Sequence, residues 1–236
     1  QRQMCIRDSS YSRPGLIGRT TVQFHWENQG YASFDAYLAT WRAKTRKECK
    51  RERRKVLESG LELAVKTGPE MSAAEWAVLP RFYEDTCNRK GSDTYLTPEF
   101  FELLRTKANA RVVCAFAYRK GEPVAATLNF EKGKNLYGRY WGASAEYEAL
   151  HFELCYYQLI ERCITRGLAH FEAGAQGEHK LRRGLLPAKI HSAHFLANPG
   201  LRAAVAAHVE RENEAMNDYM AELASQGPFK RDGCED

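Results

Sequence analysis

Apolar positions along the chain change period twice, and the changes separate helical from extended stretches. Phe34, Tyr37, Leu38 and Trp41 recur at helical spacing behind Ser33, a residue suited to capping, and predict one helix to about Glu58 with Gly60 past its end. Residues 61–66 (LELAVK) alternate as a short strand. Ser72 and Glu75 make a capping-box pattern that opens a helix with Trp76, Leu79, Phe82 and Tyr83 on one face and Pro80 as a kink. Thr97-Pro98-Glu99 opens another, through about Lys107. The period then falls to two. Residues 111–118 (RVVCAFAY), 123–130 (PVAATLNF) and 135–141 (NLYGRYW), joined by RKGE and EKGK turns, predict an antiparallel three-strand meander. Residues 150–166 return to helical spacing, with Phe152, Cys155, Tyr156, Leu159, Cys163 and Ile164 inward and Gly167 closing. Residues 168–173 and 188–196 read as strands, and Pro199 opens a last helix ending near Ser225.

Composition changes this picture little. A chain of 236 residues with 44% apolar content can bury a sizeable core. No window approaches the roughly 18–20 apolar residues of a membrane span, and the N-terminus lacks the apolar core of a secretory signal. Seven cysteines, an odd number with none at metal-ligand spacing, read as reduced thiols, and the expected location is the cytoplasm. Residues 1–10 match no period and are expected to be a non-native segment, so that the natural protein is expected to start upstream and this chain to be a fragment.

Charge is uneven. Residues 42–55 (RAKTRKECKRERRK) carry nine Lys/Arg against Glu48 and Glu52, a local +7 in a chain of net +5. Lys47, Lys50, Arg51 and Arg54 on such a helix can track phosphates; the alternative is a solvated or partner-covered face.

Residues 171–194 (FEAGAQGEHKLRRGLLPAKIHSAH) gather the densest chemistry, with glycines that let backbone approach a ligand. Glu172 or His179 can act as a general base, and Gln176 and Lys180 can donate to a developing oxyanion. Arg182 and Arg183 can clamp a phosphate or carboxylate, and Ser192 and His194 are candidate substrate contacts. The bland alternative is a network of ion pairs holding an irregular loop. Alternation places Tyr137, Arg139 and Trp141 on one sheet face and Leu136 and Tyr140 on the other, so Arg139 and Trp141 are candidates for binding substrate. No metal site is expected. His191 and His194 fall on opposite strand faces, and no Cys pair or HExxH pattern is present.

The element order resembles the GNAT acyltransferase fold. The words QFHWENQGY (23–31), RKECKRER (46–53), TYLTPEFF (94–101), LYGRYWG (136–142), LHFELCYYQ (150–158) and FEAGAQGEHKLRRG (171–184) are similar to those of uncharacterised bacterial predicted N-acyltransferases, Fem-like members of that superfamily. The resemblance spans residues 11–224. It implies an α/β (α+β) fold, a mixed, mostly antiparallel sheet flanked by helices and splayed at one point to admit an acyl donor. It implies a first lobe missing on the N-terminal side and divides the chain into a basic helical region at 11–60, the expected tail of that lobe, an acyltransferase domain at 61–198 and a C-terminal helix and tail at 199–236. It implies N-acyl transfer to a small-molecule or peptide amine by direct attack, with acyl-CoA or aminoacyl-tRNA as donor and no tightly bound cofactor. His151 and Glu153 then begin the helix at the cleft, as candidate bases. The stretch 142–149 (GASAEYEA) departs from the Gly-rich turn that cradles CoA pyrophosphate, whereas a tRNA donor suits the basic run. The alternative is a non-catalytic module of the same fold that binds a cell-wall precursor, peptide or RNA.

Overall fold

Val112 to Ala117 are all buried, which marks β3 (Val112–Arg119) as an interior strand covered on both faces. Its neighbours are β2 (Glu62–Thr67) and β4 (Glu122–Lys132), and β4 turns into β5 (Asn135–Ala143). With β6 (His170–Glu172), β1 (Ile17–Glu27) and β7 (Leu186–His194) they form one seven-stranded sheet, ordered β2-β3-β4-β5-β6-β1-β7. All neighbours run antiparallel except β5 and β6. This is the expected mixed, mostly antiparallel sheet. The computed structural model describes residues 15–174 and 177–230.

Alternation along β3 sends Val112, Cys114 and Phe116 to one core and Val113, Ala115 and Ala117 to the other. The first core is closed by α3 (Ala73–Lys90) and α4 (Pro98–Leu103). The second is closed by α1 (Phe34–Ala39), α2 (Ala43–Glu58), α5 (Leu150–Phe152) and α6 (Gln158–Thr165), the last two joined by a π-turn at Glu153–Tyr157. The capping box of α3 is present: Glu75 N–H donates to Ser72 Oγ at 3.2 Å and Ser72 N–H to Glu75 Oε2 at 2.7 Å. Finally, α7 (Pro199–Ser225) lies along the outer strands, where Arg19 pairs with Glu212 at 2.6 Å and Asn213 bonds the backbone of Thr20 and Gly18.

Three expectations need correction. Residues 11–60 do not stand outside the domain, because β1 lies within the sheet between β6 and β7. Its partners are 143 to 177 residues away in sequence, from Glu27 with His170 to Ile17 with His194, so no local pattern announces the pairing. The single helix expected over 34–58 is two helices. Trp41, wholly buried, pairs as an isolated bridge with Phe229, and Arg42 N–H donates to Pro228 O at 2.8 Å. Backbone groups that would continue the helix are thereby used by the distant C-terminal segment. In β5, Leu128 faces Tyr140 while Asn129 faces Gly138, which leaves Arg139 as the extra residue of a bulge. Leu136 and Tyr140 consequently enter different cores rather than sharing a face.

At Gly142, β5 packs directly against the backbone of α3. A Cβ there would lie 2.1 Å from Phe82 O and 2.4 Å from Phe82 C, backbone atoms that cannot swing aside. Gly142→Ala is expected to destabilise the protein by about 1–3 kcal/mol. Thermal unfolding checks it, as a fall in Tm of roughly 2–4 °C per kcal/mol.

Candidate active site

Pairing of β5 with β6 ends at Tyr137 opposite Glu172. Beyond that point β5 runs on to Ala143 beside β4, and the chain after β6 turns into a 3-10 helix at Glu178–Arg183. A cleft opens at the start of α5, between the end of β5 and α3.

Ring side chains gather there. His151 stands edge-on to Trp141, with centroids 5.4 Å apart, and lies 5.6 Å from Tyr156 and 6.1 Å from His179. The Tyr156 hydroxyl is 2.9 Å from His179 Nε2. His151 also lines a cavity of about 660 Å³, whose walls include Trp141, Tyr147, Thr86, Arg89 and Lys90. Burial pushes His151 down to about 4, and His179, Arg183, Lys90 and Lys180 add to the shift. Burial, then Arg183 and Lys180, also lowers His179. Both imidazoles are thus held toward the neutral form, which can accept a proton.

The 3-10 helix delivers His179, Lys180 and Arg183 together. Gly177 before it takes φ +106°, and a Cβ there would sit 2.2 Å from the His179 ring. Lys180 is 2% exposed, its Nζ donates to Gly174 O at 2.7 Å, and burial lowers it to about 8. Arg183 is also buried. Its guanidinium donates to Glu52 Oε1 at 2.6 Å and to His179 O at 3.0 Å, and stacks 3.3 Å from the Phe152 ring centre.

On the sheet, Glu172 lies opposite His25, and its Oε1 is 3.7 Å from His170 Nε2. Burial takes His25 down to about 4 against the pull of Glu172. For His170 burial acts downward, but Glu172 and Glu27 outweigh it and the net shift is upward.

The FemAB-like family model, described as peptidoglycan biosynthesis/recognition, matches residues 6–231. The chain belongs to the FemAB-like family.

Solved structures similar to this FemAB-like chain include the C-terminal domain of a putative lysylphosphatidylglycerol synthetase from Agrobacterium fabrum, with TM-score 0.57 and 11% identity over 85% of this chain and 68% of that one. L-PGS from Bacillus licheniformis gives 0.53 and 13% over 82% and 67%. FemX gives 0.54 and 10% over 78% and 64%, so the chain spans less than two thirds of FemX. At such identities the likeness is one of fold. A search of curated proteins found no significant match. Among the described residues no helix is long and apolar enough to cross a membrane.

Within the FemAB-like chain the expected site residues separate. Trp141, His151, His179 and Lys180 come together at the cleft. Glu153 does not join them: it is buried, bonded by Arg53 at 3.2 Å and by Gln158 at 2.7 Å, because two positions along the helix turn it toward α2. Arg183 is occupied by Glu52 and is no open substrate clamp, since its guanidinium is buried against Phe152 and the His179 carbonyl. Glu172 faces the His25 and His170 rings of its own sheet face. Arg139 is exposed at the bulge and stacks 5.7 Å from the Tyr137 ring instead of reaching Glu172. Arg182 is exposed, and Ser192 and His194 bond each other at 2.9 Å on outer strand β7. Lys47, Lys50, Arg51 and Arg54 are exposed on α2, while Arg53 turns in to bridge Glu153 and Glu161. Gln176 lies outside the described residues. Tyr156, His25, Arg89 and Lys90 were not among the candidates. Tyr156 carries an apolar helix period, and the other three are brought in by pairing or packing that spacing does not encode.

Arg183→Ala leaves a largely buried Glu52 without its cation, and a loss of about 3–5 kcal/mol is expected in urea unfolding. Arg183→Lys should recover only part, because an ammonium cannot both stack on Phe152 and reach two oxygens.

His151 also makes stability depend on pH. Its folded pKa lies below the unfolded value of 6.5, so its contribution is complete above that value and is lost as pH falls toward about 4, where the unfolded chain binds the proton first. Unfolding free energy should therefore fall between pH 7 and pH 5, and His151→Gln should reduce that slope relative to the unsubstituted chain.

Proposed function

We propose that the protein is an N-acyltransferase that passes an aminoacyl group from aminoacyl-tRNA to the amine of a cell-wall precursor peptide. The observation that carries this reading is His179 beside Lys180 where β5 and β6 part, with Tyr156 and His151 around it. The family description, peptidoglycan biosynthesis/recognition, supports the acceptor class.

The amine nitrogen attacks the ester carbonyl carbon. A C–N bond forms, the carbonyl electrons move to oxygen, and the C–O bond to the tRNA ribose then breaks. His179 takes the proton released by the amine and returns it to the leaving hydroxyl. Its ring is kept toward the neutral form, and Tyr156 holds Nε2 in place. The Lys180 ammonium stabilises the oxyanion from a buried position, where charge acts through little water. His151 is too weak a base at about 4 and orients the rings instead. Trp141 forms part of the cavity wall against which the donor's terminal group would lie.

A tRNA donor is favoured by the exposed Lys47, Lys50, Arg51 and Arg54. The chain between β5 and α5, residues 144–149 (SAEYEA), has no glycine where a Gly-rich phosphate turn would stand.

Transfer from charged tRNA and from acetyl-CoA to precursor peptides is the direct measurement. His179→Ala is expected to lower kcat about 10²-fold or more, and Lys180→Met about 10²–10³-fold, with folding retained. Arg51→Ala and Arg54→Ala should each weaken tRNA binding and reduce its salt dependence by about one phosphate contact. Full activity in both His179→Ala and Lys180→Met would overturn the mechanism, and turnover with acetyl-CoA alone would overturn the donor. Binding of precursor or tRNA without turnover of any donor would mark a non-catalytic module.

A further inference from the structure

Strand pairing sets His25 of β1 opposite Glu172 of β6 and Glu27 opposite His170. Two imidazoles and a carboxylate therefore share one face of adjacent strands. Ligand atoms of His25, His170 and Glu172 all lie within 4.8 Å of one another. Glu172 is 4% exposed, and its Oε1, within ion-pair range of His170, has no hydrogen-bond partner. A buried carboxylate oxygen in that condition is costly unless a donor or cation meets it. Each ring has one nitrogen engaged by an oxygen: His170 Nδ1 meets the Glu27 carboxylate, and His25 Nε2 is 3.3 Å from Gln23 Oε1. When those nitrogens donate, the other nitrogen of each neutral ring keeps its lone pair. Oxygens placed in this way orient metal-binding histidines.

The geometry points to a binding site for a divalent first-row transition-metal cation, with zinc the best fit, formed by His25, His170 and Glu172. Two imidazoles and a carboxylate suit zinc and leave a fourth position open, whereas magnesium and calcium favour oxygen ligands. Bonds of about 2.0–2.1 Å to a tetrahedral ion bring ligand atoms to roughly 3.4 Å apart, so the three side chains must close by about an ångström. His170 is the ring able to move, with 19% of its side chain exposed, and the neighbouring Glu27, 63% exposed, opens a path from solvent. Lys180 is the nearby cation that a bound metal must tolerate, and its Nζ is anchored on Gly174 O. Binding here is read without turnover, so its test is independent of the transfer reaction.

The test uses the full chain with any histidine tag removed, stripped with chelator and given one equivalent of zinc chloride. Gel filtration followed by elemental analysis is expected to retain one zinc per chain, and cobalt in its place should give visible d–d absorption. His25→Ala, His170→Ala and Glu172→Gln should each weaken zinc affinity at least about 10-fold by calorimetry. His191→Ala with His194→Ala should leave it unchanged. Glu172→Gln is isosteric and His170 is partly exposed, so these two carry the test if His25→Ala fails to fold. Retention of less than about a tenth of an equivalent would overturn the proposal, as would zinc binding unaffected by His170→Ala and Glu172→Gln.

Discussion

The contact between Arg183 and Glu52 joins the parts of the molecule that have to agree for a cleft to exist. Arg183 ends the 3-10 helix that carries His179 and Lys180, and Glu52 belongs to α2. The same guanidinium covers Phe152 of α5 and bonds the His179 carbonyl, while the second Glu52 oxygen takes the Tyr157 hydroxyl at 2.5 Å. One buried ion pair thus fixes α2, the helix that begins at α5, and the loop after β6 against each other. Such a pair contributes little net stability compared with apolar packing, but losing one partner strands a charge. Its value here is positional.

The same arrangement explains why the basic run of α2 is not one feature. Cys49 and Val56 enter the core, Glu52 and Arg53 form inward ion pairs, and Lys47, Lys50, Arg51 and Arg54 remain at the surface. The helix organises the site from behind while presenting positive charge outward. Burial then acts on the site itself. It lowers His151, His179 and Lys180 together, so neutral imidazoles sit beside a buried lysine. The neighbouring cations Arg183 and Lys180 reinforce the histidine shifts.

Local patterns specified what depends on neighbours in sequence. The meander β3–β5, the capping box at Ser72 and the helix from Leu150 were legible because a period, a turn or a cap lies within a few residues. The grouping of His179 with Lys180 was legible for the same reason. The sequence left Glu153 and Arg183 open between a site role and an ion pair because charge alone does not say which way a side chain turns or what it meets. Arg139 was misread because a single bulge shifts the alternation of the residues after it.

By itself the sequence determined the elements from Glu62 onward, the mixed, mostly antiparallel sheet, and a segment after β6 dense in ionisable side chains. Tertiary structure alone decided that β1 enters the sheet between β6 and β7, that a C-terminal segment breaks the helix at Trp41, and that His25 faces Glu172. It also brought Arg89 and Lys90 to the cavity beside His151. The division has one cause. Periodicity and capping are encoded in residues a few positions apart, whereas the strand partners of β1 and the Arg183–Glu52 pair join residues more than a hundred positions apart, and only the closed chain brings them together.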